Sequence, residues 1–290
     1  MRAAAFILLA AAAGANLAHA ACDRECLFAV TTEYFDALHA HRPEAVRLAP
    51  GARFTDDGVE MKLAESPLWK NATGLRPYRL DIIDVGESTV ATLAVVEESG
   101  NPVLVVLRLK VADGKIAEAE QQVTRNKTEG SLFEPDALKS PSEAMLRKPD
   151  KSQRNSREDL IRIATLYPAG LKTGSFVKVD APFADDAYRF ENGRLMAGPG
   201  CTFLPGCDHI KTQRIPTLSA LTYRVAAVDE DLGIVLLNMN FGPGSTRAPG
   251  DTLRVWEAFK VFGGQIHAVE AFMKNMPADA GSGWDSTARK

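Results

Sequence analysis

Leu27, Val30, Thr31, Tyr34, Phe35 and Leu38 lie three and four residues apart, which is one face of a helix, and the stripe stops at Arg42-Pro43, where proline ends it. Apolar, β-rich runs follow: 54–63, 78–85, 90–96, 102–111 and 115–123. They are broken by Gly58, Gly86, Ser99-Gly100-Asn101 and Asp113-Gly114, so the spacing predicts hairpin-connected strands. The order then repeats. Ser156 and Asp159 have capping-box spacing and open a second helix, whose buried face is Leu160, Ile163, Tyr167 and Leu171. Strands are predicted at 188–196, 219–228, 233–240, 252–262 and 265–273. A helix followed by a run of strands is an α+β pattern.

The echo extends to residue identities. Leu27, Tyr34 and Leu38 recur as Leu160, Tyr167 and Leu171 at a constant offset of 133; Asp57-Gly58 recurs as Asn192-Gly193; Lys110-Val111, Gly114, Ile116 and Glu120 recur as Lys260-Val261, Gly264, Ile266 and Glu270 at an offset of 150. A duplicated domain is the simplest reading, with an insertion in the second copy between Gly193 and Lys260. The expected organisation is a first domain at 22–127, a polar, proline-bearing linker at 128–154, a second domain at 155–277 and a tail at 278–290.

Residues 1–21 read as a secretory leader: Arg2, an apolar run through Leu17, then Ala18-His19-Ala20. The rival reading is a lipid anchor on Cys22, against which His19 argues. Export, to the periplasm or outside the cell, is the expectation. With 34 basic and 37 acidic residues and no basic stripe, no nucleic-acid or membrane-surface partner is expected, and no other run is long or apolar enough to span a bilayer. An oxidising compartment favours disulfides among the four cysteines. Of the three possible pairings, local pairs are expected, with Cys201–Cys207 closing the insertion. Cys22–Cys26 stays open, because a four-residue spacing at a helix start is awkward for bridge geometry. His209 beside Cys207 is too little for zinc, Asp229-Glu230-Asp231 lacks the further ligands of a calcium loop, and no phosphate-binding glycine motif occurs, so neither metal nor cofactor is expected.

The Phe54-Thr55-Asp56-Asp57-Gly58 strand and the final hairpins Lys110 to Glu120 and Lys260 to Glu270 resemble the nuclear-transport-factor-2-like superfamily, which includes ketosteroid isomerase, scytalone dehydratase and polyketide cyclases. Cys22 to Leu27, Arg189 to Gly193, Val228 to Val235 and Gly281 to Trp284 look like a secreted tandem subfamily of unassigned function. The resemblance implies two tandem cones, each with helices packed in a strongly curved, mainly antiparallel sheet that leaves an apolar pocket for a small molecule. It covers both copies and does not settle a reaction.

The enzymes of that superfamily place a few ionisable groups on strand faces inside the cone. Candidates in the second copy are Glu257, His267 and Arg189 for proton transfer and oxyanion support, with Glu191, Asn192, Asn238, Asn240 and Glu270 as binding residues. Glu257 alternates in phase with Val255 and Phe259, so it would be desolvated; the competing reading pairs it with Arg254 or Lys260 at the surface. His267 sits opposite Ile266 in the pleat, which in its competing reading turns it to water. Glu270 has its counterpart in Glu120, which suggests a structural task shared by both copies. Arg189 and Glu191 replace Phe54 and Asp56, so an arginine stands there in the second copy alone. The expectation is a cofactor-independent lyase, isomerase or dehydratase acting on a hydrophobic, aromatic molecule, in a possible homo-oligomer. The alternatives are a non-catalytic carrier of the cell envelope and an interaction protein using the insertion as its contact surface.

Overall fold

A computed structural model describes residues 22–246, 250–281 and 284. The leader proposed at 1–21 and most of the tail lie outside them. In the first half, α1 (Arg24–His39) is followed by β1 (Leu48–Asp56), β2 (Val59–Glu60), α2 (Pro67–Asn71), β3 (Ala72–Asp84), β4 (Thr89–Glu98), β5 (Asn101–Ala112) and β6 (Lys115–Thr124). After a connection carrying α3 (Glu143–Leu146), the second half comprises α4 (Arg157–Thr173), β7 (Phe183–Glu191), β8 (Arg194–Ala197), β9 (Thr222–Asp229), β10 (Ile234–Pro243), β11 (Asp251–Phe262) and β12 (Gln265–Pro277).

The caps follow the local chemistry. Asp23 accepts from the Cys26 amide and Ser156 from the Asp159 amide, each quieting an orphan N–H of a first turn. Gly174 ends α4 in the left-handed region that a side chain would disfavour. Both local disulfides form, Cys22–Cys26 with its Cα atoms 5.3 Å apart and Cys201–Cys207 at 5.6 Å. The four-residue spacing is thus no obstacle: Cys22 lies just outside the helix, where the chain is free to bring the two sulfurs together.

Each half is a six-stranded sheet with the same order, β2-β1-β6-β5-β4-β3 and β8-β7-β12-β11-β10-β9. All pairs are antiparallel except β1 with β6 and β7 with β12. The first strand expected in each half is two: the chain reverses at Asp57-Gly58 and at Asn192-Gly193, where both residues of each pair have positive φ, the geometry of a two-residue hairpin turn. Bulges interrupt the ladders at matching places, Lys110/Val111 and Lys260/Val261, and bend the strands. The fold is therefore α+β, two tandem cones.

Alternation sorts the strands into layers. In β5, Val103, Val105, Leu107 and Leu109 face α1, while Leu104 and Val106 face away; in β11, Val255 and Phe259 face α4, while Trp256 and Ala258 face away. The away faces of the two sheets meet and form one shared core containing Tyr78, Leu93, Trp256 and Phe272. Each cone thus keeps its own interior, lined by its own helix, and lends its back to the other.

The connection is tied down at several points. Met145 is fully buried, and Lys260 of β11 donates to the carbonyls of Met145, Arg147 and Leu232. Burial pushes the Lys260 ammonium down to about 8.

Candidate functional site

The second cone is hollow. A cavity of about 330 Å³ opens between α4, the inner faces of β7, β11 and β12, and the segment joining β8 to β9. Its wall is largely apolar, with Leu171, Met196, Ile215, Phe241, Val255 and Met273; the polar side chains that line it include Arg214, Gln213, Tyr167, Arg189, Glu191 and Glu257. Strand pairing brings the last three together. Glu257 stands opposite Ala271 on β12, and Ala271 stands opposite Glu191 on β7.

Tyr167 rises from α4 and accepts a hydrogen bond of 3.0 Å from Arg189 Nη1. The Arg189 Nε atom approaches Glu191 Oε1 at 2.7 Å, off the N–H direction, so the charges touch while Nε–H makes no hydrogen bond. Glu257 is 2% exposed, and its Oε2 has no protein partner among the described residues. Burial pushes its carboxyl up to about 8, and the Glu191 carboxylate adds to this; the Arg189 charge and a hydrogen bond from Tyr167 act in the opposite direction. The same burial, with the neighbouring carboxylates, holds the Tyr167 phenol well above its ordinary range. The arrangement is a desolvated carboxyl with one free oxygen, beside a cation that reaches it through a phenol.

The other sequence-derived residues lie elsewhere. His267 is the extra residue of the β12 bulge: Lys260 pairs with Ala268 and Val261 with Ile266, so nothing stands opposite His267 and the pleat cannot predict its face. Its ring stacks on Phe262 at 3.5 Å, away from the cavity, and burial lowers its proton affinity. Asn192 is structural in place, accepting from the Met273 amide and donating to the Ser131 and Met273 carbonyls. Asn240 accepts from the Gly242 amide and from the Thr252 hydroxyl, and with Asn238 it lines an open cleft beside Arg224 and Arg254. Glu270 is buried between the sheets, accepting from Tyr78 at 2.6 Å and from Tyr188 at 3.3 Å. Its counterpart Glu120 faces the same interface, where Arg224 pairs with it.

Tyr167 and Gln213 are cavity residues that sequence reasoning missed. A tyrosine on an apolar helical stripe reads as packing, and Gln213 sits in a segment with no periodicity to place it. Among the described residues no group of three His, Cys, Asp or Glu side chains could hold a metal ion.

In the first cone, among the described residues, the same frame is packed with apolar side chains. Bulge and pairing registers put Leu107 where β11 has Glu257, and Phe54 where β7 has Arg189. Trp69 of α2 enters the apolar core, 2% exposed, and its Nε1 donates to Tyr34, the counterpart of Tyr167, at 3.0 Å with the rings edge to face. In the second copy a longer, disulfide-bearing segment replaces the stretch that delivers Trp69.

A family model described as Domain of unknown function (DUF8021) matches residues 20–123 and 153–273. The chain belongs to this family. No curated protein matches it. Among solved structures, a de novo designed protein with a curved β-sheet aligns at 20% identity over 35% of this chain and 88% of its own, with a TM-score of 0.29. A candidate polyketide cyclase from Sinorhizobium meliloti aligns at 26% identity over 32% of this chain and 94% of its own, with a TM-score of 0.27. A nuclear-transport-factor-2-like protein of unknown function from Cytophaga hutchinsonii aligns at 12% identity, 35% and 91%, with a TM-score of 0.25. This chain carries two cones, with unlike interiors.

Proposed function

We propose that the second cone receives one small, mostly apolar molecule, aromatic in the simplest case, and that Glu257 moves a proton on it without a cofactor, as a lyase, isomerase or dehydratase does. The observation that carries this reading is the Glu257 carboxyl: buried, with a free oxygen and a proton affinity near working pH, in a cavity that is otherwise apolar. Ionised, it is a desolvated base; protonated, it is an acid for the return step. The Arg189 guanidinium, paired with Glu191 and bonded to Tyr167, supplies positive charge for an oxygen on which charge develops. Tyr167 couples the two groups.

A carrier is the second reading. One feature favours it: below about pH 8 Glu257 is mostly protonated, and an uncharged carboxyl holds a neutral guest well. Two disulfides, and the lack of any helix long and apolar enough to cross a membrane among the described residues, are compatible with export. Either protein would work outside the cytoplasm.

Native mass spectrometry of the purified chain, followed by incubation with whatever guest it retains, separates the readings. An enzyme loses roughly 10²–10⁴-fold in turnover on Glu257→Gln while keeping the bound mass. A carrier keeps the mass and shows no turnover in either form. A chain that retains no guest from any extract, and binds no small aromatic compound, is neither.

A further inference from the structure

Gln213 lies in the segment between β8 and β9, which is longer than its counterpart between β2 and β3. It is 7% exposed and lines the cavity. Its Nε2 donates to the Met196 carbonyl at 2.8 Å. Because a carbonyl only accepts, this bond fixes which end of the amide is nitrogen. Oε1 is therefore held in a set orientation, buried, with no protein partner among the described residues. Evolution rarely leaves a buried acceptor unsatisfied, and one whose orientation is pinned by a second bond is ready-made for a donor arriving from the cavity.

The other cavity atoms without a hydrogen-bond partner among the described residues are Arg189 Nε, which lies against Glu191 Oε1, and Glu257 Oε2. The lining carries Arg189 and Arg214 against Glu191, and Glu257 is mostly protonated below about pH 8, so the cavity does not attract a cation. The donor that suits Gln213 is therefore a neutral one, and a hydroxyl is its compact form inside an apolar wall.

We infer that Gln213 sets specificity in this cavity, its Oε1 selecting apolar molecules that carry a hydroxyl over the same molecules with that hydroxyl methylated. This rests on the reading of the cavity as a binding site. Discrimination arises because a methyl ether donates nothing and leaves the amide oxygen unpaired, while its apolar body gains as much from the wall as before.

The test uses 2-naphthol and 2-methoxynaphthalene, titrated calorimetrically into the wild-type chain and into Gln213→Met, which keeps the length and removes both polar atoms. The wild type should prefer the naphthol by roughly tenfold, and the variant should bind the two within about twofold. Equal binding by the wild type, or a preference that survives in the variant, overturns the assignment of Gln213 and leaves the cavity as a binding site. Binding of neither compound by the wild type removes the cavity reading, and the assignment with it. Should the variant not fold, the side-chain carbonyl carbon of Gln213 in the wild type reports directly: a downfield ¹³C shift with the naphthol and none with the ether supports the assignment, and equal shifts overturn it.

Discussion

Glu257 and Leu107 occupy the same place on the same strand of the same frame, and the difference between them is a carboxyl in a dry interior. Burial raises the Glu257 carboxyl from 4.5 to about 8. Between those values the unfolded chain binds fewer protons than the folded one, so the stability contributed by this site is fully present below about pH 4.5 and is lost as pH rises through about 8. Glu257→Gln removes the titration. The variant should therefore gain on the wild type with rising pH by several kcal/mol, an order-of-magnitude figure, as measured by urea midpoints at pH 5 and pH 9. A pH-independent difference would show that the carboxyl is not buried as described. Of the candidates read from residues alone, Arg189, Glu191 and Glu257 line the cavity and the others do not. Strand alternation put Glu257 in phase with Val255 and Phe259, which is how β11 presents it. Alternation failed at His267, because a bulge inserts one unpaired residue and the faces slip. It had nothing to say about Gln213, whose position follows from a chain path rather than a period.

At the scale of elements, the decisive part is the segment from β8 to β9. It contains no helix or strand, so its shape depends on ties: the Cys201–Cys207 bridge, the Gly198 amide on the Cys207 carbonyl, the Gln213 side chain on the Met196 carbonyl and the Leu218 amide on the Leu171 carbonyl. Leu204, inside the disulfide loop, lines the mouth of the cavity. Replacing Cys201 and Cys207 by serine should cost about 2 kcal/mol, as loop-closure entropy for so short a loop gives, and should weaken binding of a small aromatic probe because Leu204 loses its fixed position. Melting curves and calorimetric titration of the double variant check both parts. An unchanged affinity would show that the loop is not part of the mouth. The helix faces and strand runs were legible in advance because their apolar periods are regular, whereas this segment has composition but no pattern.

At the scale of the molecule, the halves are joined by reciprocal contacts. Arg24 of the first half grips Asp229 of the second at 2.8 Å, and Arg157 of the second grips Asp84 of the first at 2.7 Å. Each carboxylate also takes a backbone amide from the opposite half, Ile83 to Asp229 and Val228 to Asp84. Arg24 and Arg157 are counterparts, as are the ends of β3 and β9, so the contact has the self-complementary form of a two-fold dimer interface within one chain. Both carboxylates are buried, and removing one leaves a partly exposed arginine without its main partner and a buried amide without an acceptor. Asp84→Ala or Asp229→Ala should each cost about 3–5 kcal/mol and shift one cooperative transition, read by denaturant unfolding of the full chain. Two separate transitions would mean that the cones fold independently.

This clasp divides the tolerance of the sequence unevenly. A substitution on either back disturbs two halves at once, so those surfaces are held under double constraint. The rim at the open end of the second cone touches no such seam. It can lengthen, shorten or change its side chains while the rest stands. A filled first cone then acts as ballast: it keeps its neighbour's back covered, and so lets the neighbour's mouth be reshaped for a new guest.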